Sequence, residues 1–237
     1  KSVDGGVTWA NILDWSYAQT RGVWMIAINP QDSLIVYAAT TEGVYRSGDA
    51  GATWNLVLDE IMATDVRIHP TDPNTIFAAC GNFASAGHGI YRSLDGGTTW
   101  TPQQSPLENH LLCVKFTDER HGVAAGDWGK IIMTEDGGNT WTDVSLKEDI
   151  LLYDMDFISR DEGWMAAETG IIFHTTDGGK TWESFQTDDF LTFFGIAMDR
   201  DGSQPRGPRA FENLKETVAA FLGMVHAAPH LQGDWNV

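Results

Sequence analysis

The sequence predicts an all-β fold, a β-propeller of four-stranded blades, from three observations. First, the phrase Ser/Thr-x-Asp-x-Gly-x-Thr-Trp occurs five times, and its aspartates lie 45, 46, 41 and 41 residues apart, which is the length of one blade. Second, apolar strand signals and pairs of small residues recur between the copies. Third, no long apolar run interrupts this pattern, so no membrane-spanning helix is expected. The predicted architecture is a scaffold that serves many functions.

Each phrase is interpreted as a hairpin turn between two strands. Its Asp can accept hydrogen bonds from the following backbone N–H groups, its Gly suits a positive φ, and its Trp can pack between neighbouring sheets. One Asp per turn, without further oxygen ligands, does not make a calcium loop. We therefore expect structural roles for Asp4, Gly6, Trp9, Asp49, Gly51, Trp54, Asp95, Gly97, Trp100, Asp136, Gly138, Trp141, Asp177, Gly179 and Trp182.

Four complete blades are predicted, near residues 22–58, 65–103, 111–144 and 151–186. The second strand of each contains a pair of small residues, and we align Tyr37-Ala38-Ala39 of the first blade with Met165-Ala166-Ala167 of the fourth. Residues 1–13 are expected to supply only the last two strands of a preceding blade. Because Lys1 directly precedes a phrase, the chain resembles a mature or truncated product.

The repeat stops near residue 200, which predicts two domains: a propeller over 1–200, and a linker with an amphipathic helical tail over 201–237. Residues 202–208 are rich in Gly and Pro, as in a linker. Apolar residues then follow at helical spacing and predict a helix over 210–227: Phe211, Leu214, Val218, Phe221, Leu222 and Val225. This helix is interpreted as a cap over an exposed blade edge, as a docking helix for a partner, or as a segment foreign to the propeller.

The phrase resembles the Asp-box, or BNR repeat, of sialidases, xyloglucan-cleaving glycosidases, sortilin-type receptors and photosystem II assembly factors of the Ycf48/Hcf136 type. The first two blades, with Ile28-Asn29-Pro30 and Ile68-His69-Pro70, look like the sortilin and xyloglucanase type. The next two, with the segments 116–122 and 157–164, look like the assembly factors, and this match over about 111–198 is the closer one. The resemblance covers roughly residues 1–200 and is specific for blade structure rather than for activity.

The net charge of −18 disfavours nucleic acid and anionic lipid as partners, because both require a basic face. The assembly factors carry a basic patch that this acidic chain lacks, so a photosystem partner is not carried over, and a basic protein surface is the expected partner. Cys80 and Cys113 are interpreted as small buried hydrophobes, with a disulfide as the alternative. The resemblance implies export to the periplasm or extracellular space.

Signals for a cofactor or an active site are weak, and no cofactor is predicted. The histidines are scattered without metal-ligand spacing. A glycosidase requires two facing carboxylates, and many acids outside the phrases could form such a pair by chance: Asp14, Asp59, Glu60, Asp65, Glu108, Asp127, Asp154, Asp156 and Glu168. Arg46 and Arg92 repeat at one blade position, which indicates a structural role rather than a sialidase arginine cluster.

Aromatic residues outside the phrases are the better functional candidates. Trp24 and Trp164 are interpreted as core between blades. The candidate partner-binding residues are Trp15, Asp127, Trp128, Phe211, Leu214 and Phe221. The predicted function is a non-catalytic scaffold that binds another protein, as an assembly or stability factor or an accessory subunit. The alternative is a carbohydrate-active propeller, either a glycoside hydrolase or a glycan-binding module.

Overall fold

The computed structural model describes residues 1–10, 22–81, 89–187 and 192–196. These residues fall within a compact unit that spans Lys1–Ala197. The predicted domain boundary at 200/201, the helix over 210–227 and the residues Trp15, Phe211, Leu214 and Phe221 lie outside the described residues and stay predictions. Within the described part, no helix is long and apolar enough to cross a membrane.

Four antiparallel sheets of four strands each form the fold, and in every sheet the strands lie side by side in chain order. The four complete blades are therefore confirmed. Blade 1 consists of β1 (Val23–Ile28), β2 (Val36–Thr40), β3 (Gly43–Ser47) and β4 (Asn55–Leu58). Blade 2 consists of β5 (Ala63–Ile68), β6 (Ile76–Cys80), β7 (Ile90–Ser93) and β8 (Thr101–Pro102). Blade 3 consists of β9 (Leu111–Phe116), β10 (Gly122–Gly126), β11 (Ile131–Thr134) and β12 (Thr142–Asp143). Blade 4 consists of β13 (Leu152–Phe157), β14 (Gly163–Ala167), β15 (Ile171–Thr175) and β16 (Glu183–Gln186).

The expected partial blades do not form strands within the described residues. Residues 1–10 form a turn in which Lys1 and Ala10 exchange backbone hydrogen bonds, and none of these ten residues lies in a strand. The run over 193–199 predicts one more first strand, but its described residues, 193–196, do not form a strand.

The antiparallel order gives each blade two distinct ends. The turns between first and second strands and between third and fourth strands lie at one end, called here the Asp-box end, because it includes the phrases of all four blades. The turns between second and third strands, together with the connections between blades, lie at the other end, called here the loop end.

The core lies between the blades, as three clusters of buried apolar side chains that join blades 1 and 2, 2 and 3, and 3 and 4. Strand pairing defines equivalent positions on the first strands. Ile26, Val66, Val114 and Met155 each pair with the middle residue of the neighbouring second strand: Ala38, Ala78, Ala124 and Met165 respectively.

This register corrects the alignment of the small-residue pair in blade 4. Trp164, rather than Met165, occupies the position of Tyr37. Gly163 sets the register, because a Cβ atom there would lie 2.5 Å from Phe157, just as one at Gly122 of blade 3 would lie 2.7 Å from Phe116. The small pair in blade 4 is therefore one residue out of step with the other blades.

Trp164 and Trp24 differ in burial. Trp164 is 3% exposed, as predicted for core. Trp24 is 55% exposed, so that prediction is wrong. Trp24 alternates with Ile26 and Ile28 along the side of blade 1 that faces away from blade 2, and all three are exposed.

Candidate functional site

The Asp-box turns use their carboxylates within the turn itself. In the box of blade 2, Oδ1 of Asp95 accepts the Thr99 N–H at 2.8 Å, and Oδ2 accepts the Thr99 hydroxyl at 2.6 Å. The Ser93 hydroxyl donates to Oδ1 and accepts the Gly97 N–H. These bonds, those from Thr99 above all, lower the pKa of Asp95 from 3.8 to about 2. The pKa of the Asp is lowered in all five boxes, and none of these carboxylates is left for chemistry on a ligand.

The boxes also join the blades. A Cβ atom at Gly138 would lie 2.7 Å from Phe77 of the preceding blade, and one at Gly97 would lie 3.0 Å from Tyr37. The Tyr37 hydroxyl donates to the Gly96 carbonyl at 2.8 Å, and Arg92 donates to the Gly137 carbonyl and to Asn139. Arg46 donates to the Tyr37 hydroxyl at 3.3 Å. Arg46 therefore makes a contact within its own blade, and Arg92 makes contacts between blades 2 and 3.

Trp9 departs from the expected packing between sheets. Its indole N–H donates to the Gly6 carbonyl, as those of Trp54, Trp100 and Trp182 do in their own boxes. Trp141 is buried, whereas Trp9 is 75% exposed. A Cβ atom at Gly6 would meet only Trp9 itself, so among the described residues no blade covers the first box.

Acidic residues on the first strands are paired with basic ones. Arg67 Nε lies 2.9 Å from Asp65, and its Nη2 lies 3.2 Å from Asp154 of blade 4. Lys115 lies 2.8 Å from Asp156. Burial raises the pKa of Asp65 and of Asp154, and the guanidinium between them compensates their charge. These acids, which the sequence offers as candidate glycosidase carboxylates, are bridged to basic side chains.

At the loop end, β10 and β11 are joined by a turn that contains the predicted Asp127 and Trp128. Trp128 has φ 60° and ψ 32°, Gly129 has φ 65°, and the Lys130 N–H donates to the Asp127 carbonyl at 3.0 Å. This is the type I′ geometry, which favours Asn, Asp or Gly at the position that Trp128 occupies. The Trp128 side chain is 57% exposed, so little burial offsets the strain.

Asp127 itself is buried, with 1% of its surface exposed. Its Oδ2 lies 3.0 Å from Nδ1 of His110 in the connection between blades 2 and 3. Its Oδ1 is buried without a hydrogen-bond partner. Burial raises the pKa of Asp127, and an unsatisfied buried carboxylate oxygen is costly to the folded protein.

Blade 4 repeats this turn with Glu168, Thr169 and Gly170. Thr169 has φ 56°, and Glu168 Oε1 accepts the Leu151 N–H at 3.0 Å. Tyr153 on β13 lies within electrostatic reach of both turns: burial raises its pKa, and the charges of Glu168 and Asp127 raise it further. The rings of Tyr153 and Phe194 lie 4.8 Å apart. We call Asp127, Trp128, Tyr153 and Glu168 the loop-end cluster.

Sequence reasoning selected Asp127 and Trp128 but missed the pairing of Asp127 with His110 and the equivalence of Asp127 and Glu168. Aligning 126–129 with 167–170 would have revealed the second relationship. The first depends on the path of a connection between blades, which no local pattern encodes.

Cys80 and Cys113 are free, buried thiols. Within the described ranges, no group of three or more His, Cys, Asp or Glu side chains could hold a metal ion.

Comparison with known proteins identifies similar propellers. Residues 95–192 match the family model of the photosynthesis system II assembly factor YCF48. No curated protein matches the chain. The solved structure of YCF48 bound to D1 peptide is 21% identical, with a TM-score of 0.55, and the match covers 76% of this chain and 59% of that one. YCF48 from Cyanidioschyzon merolae is 18% identical, with a TM-score of 0.56, and covers 78% and 65%.

A glycoside hydrolase propeller is similar in fold as well. An ancestral GH74 enzyme is 22% identical, with a TM-score of 0.59, and the match covers 70% of this chain but 24% of the enzyme. The chain thus spans less than two thirds of the length of each of these solved structures. The resemblance deduced from the sequence is confirmed: the protein is an Asp-box β-propeller of BNR repeats, and its residues 95–192 match the family of the YCF48 assembly factor.

Proposed function

We propose that this chain is a non-catalytic propeller that binds another protein at its loop end and acts as an assembly or stability factor, or as an accessory subunit, of a larger complex. The observation that carries the proposal is the exposed indole of Trp128 on a strained turn. The match of 95–192 to an assembly-factor family supports it, as does the presence of a bound peptide in one similar propeller.

The physical argument concerns the cost of that turn. A bulky residue in the left-handed region costs of order 1–3 kcal/mol, and such strain collects at functional sites. Trp128 does not recover this cost by burial, because more than half of its surface is exposed. Tryptophan is enriched among the few residues that supply most of the energy of protein interfaces. A rigid, exposed Trp is therefore well suited to anchor a partner.

A carbohydrate-active propeller is the second candidate function. In addition to burial, the charges of two carboxylates, Glu168 and Asp127, raise the pKa of one aromatic side chain, Tyr153. The pKa of Asp127 is itself raised, which is typical of a general acid. The similarity in fold to a GH74 enzyme supports this candidate. Export to the periplasm or extracellular space stays a prediction.

The two functions are separated by capture and by hydrolysis. We expect the immobilised protein to retain one partner protein at a fixed stoichiometry and to lose it on Trp128→Ala. Thr169→Ala, in the equivalent turn of blade 4, is the matched control and should retain it. Release of reducing sugar from a panel of polysaccharides, abolished by Asp127→Asn, would overturn the proposal in favour of the second function.

A further inference from the structure

We propose that the loop-end cluster binds a cationic side chain, an arginine or a lysine, of the partner protein. This inference rests on the proposed protein-binding function and specifies the chemistry of the segment that is bound. Asp127 and Glu168 would supply the negative charge, and Trp128 and Tyr153 the aromatic faces.

The first argument is the unpartnered oxygen of Asp127. Its Oδ2 is occupied by His110, while Oδ1 is buried and accepts no hydrogen bond. A buried carboxylate oxygen calls for a donor, and hydrogen bonds between two charged groups are about twice as strong as neutral ones. A guanidinium or ammonium group supplies such a donor together with the opposite charge.

The second argument comes from the other buried aspartates of the described chain. Asp65 is paired with Arg67, and Asp156 is paired with Lys115. Asp127 is paired with a histidine, which is charged only when it is protonated. The chain thus gives two of its three buried aspartates an arginine or a lysine. Asp65 and Asp127 each have an oxygen, Oδ1, without a hydrogen bond, but that of Asp65 lies 2.9 Å from Arg67 Nε, whereas Asp127 has only the histidine.

The third argument is that the chain already contains a guanidinium held by two carboxylates from different blades. Arg67 contacts Asp65 of its own blade and Asp154 of blade 4. Asp127 and Glu168 also come from different blades, and the charges of both act on Tyr153. At the loop end the two carboxylates come from blades 3 and 4, and the partner would supply the cation.

The aromatic members of the cluster and the charge of the chain agree with this ligand. Arg and Lys are attracted to the faces of Trp and Tyr rings by the quadrupole of the ring. Trp128 is exposed at the turn that also contains Asp127. A net charge of −18 would also steer a basic partner towards the propeller.

The test uses peptides selected on the full chain from a random library of about twelve-residue sequences. We expect the selected peptides to be enriched in Arg or Lys. Replacing the critical Arg by citrulline, or Lys by norleucine, should weaken binding at least about tenfold, because a hydrogen bond between charged groups is lost. Affinity is measured by isothermal titration calorimetry.

Variants of the chain locate the contact. Asp127→Asn and Glu168→Gln should each weaken binding of the Arg peptide about tenfold and have little effect on the citrulline peptide, which is the coupling expected for a direct contact. Glu135→Gln makes the same change of charge at the Asp-box end and should leave affinity within twofold. Thermal unfolding of each variant checks that it is folded, and Glu168→Gln keeps the test valid if Asp127→Asn does not fold.

The outcomes separate this inference from the proposed function. Peptides that require Trp128 but bind equally well with citrulline would overturn the cation site and leave the protein-binding function in place. A selection that yields no binding peptide, together with binding of a polysaccharide that depends on Trp128, would overturn both.

Discussion

Blade 1 has the same strand pattern as blades 2, 3 and 4, but one of its sides has different surroundings. This is the side that faces away from blade 2, and the equivalent side of each other blade packs against the preceding blade. Ile26 of blade 1 is 56% exposed, whereas the equivalent Val66, Val114 and Met155 are at most 1% exposed. Each of the latter three packs in a cluster with the preceding blade. Strand pairing alone therefore sets the side of the blade on which these side chains lie. Contact with a neighbouring blade decides whether they are buried in the core.

The open side of blade 1 is an apolar surface. Its exposed members include Trp24, Ile26, Ile28 and Leu56, and Ile26 and Leu56 lie in one row across the sheet with Ala38 and Tyr45. Large apolar surfaces of this kind are uncommon on monomeric proteins unless they form an interface. The propeller is therefore a series of interfaces between blades, and three of these interfaces are packed within the described chain.

The largest expected difference between the two regions follows from placing a charge at equivalent positions. Val114→Asp should destabilise the chain by at least about 4 kcal/mol, because an unpaired carboxylate is buried in the cluster between blades 2 and 3. Ile26→Asp should change the free energy of unfolding by less than about 1 kcal/mol, because Ile26 is exposed. Urea denaturation followed by tryptophan fluorescence measures both. Equal losses would show that the open side of blade 1 is covered in solution.

An intermediate difference is expected between the Asp-box glycines. Gly138→Ala should cost about 2–4 kcal/mol, because its φ of +84° strains Ala and the new Cβ would lie 2.7 Å from Phe77. Gly6→Ala should cost no more than about 1–2 kcal/mol, because its φ of +91° adds strain but its nearest neighbour is 3.7 Å away. The same denaturation assay compares them. Similar losses would mean that the conformation of the turn, rather than contact between blades, requires the glycine.

The smallest difference is expected for the carboxylates of the boxes. The pKa of Asp4 and of Asp95 is lowered from 3.8 to about 2 by bonds within each turn, chiefly from Thr8 and Thr99. Because the folded pKa lies below the unfolded one, the contribution of these bonds to stability is present above about pH 4 and is lost as the pH falls towards 2. Carboxyl carbon NMR shifts, recorded between pH 5 and pH 1.5, should therefore give a pKa of about 2 for both residues. A pKa of Asp4 near its ordinary value would show that the first box requires a covering blade.

The boxes and the number of blades could be predicted because each turn is specified within eight residues. The Asp, the hydroxyl residues and the Gly form hydrogen bonds with residues two to four positions away, so the sequence reveals these bonds directly. The register of blade 4 could not be read in the same way, since Trp164 and Met165 both lie ahead of the pair Ala166-Ala167 and either could occupy the position of Tyr37. Gly163 decides it through its contact with Phe157, a residue of the neighbouring strand.

The candidate site was predicted in part. Trp128 was selected because it lies in a loop between strand signals, and the structure places it exposed at the loop end. The rest of the site involves residues from three different connections. Asp127 has the unsatisfied oxygen, His110 lies beside it, and the charges of Glu168 and Asp127 both act on the pKa of Tyr153. Contacts of this kind depend on how neighbouring blades pack, and the period of the sequence repeat does not encode that packing.

By itself, the sequence determined the blade repeat, the turns that close it and the structural use of their aspartates, because hydrogen bonds between residues a few positions apart depend on local order alone. Tertiary structure alone decided that Trp164 is core and Trp24 is surface, that Arg67 bridges two acids from different blades, and that Asp127 keeps one oxygen without a partner. The physical reason is that burial and pairing of charge are properties of the space between blades, and residues from distant parts of the chain fill that space.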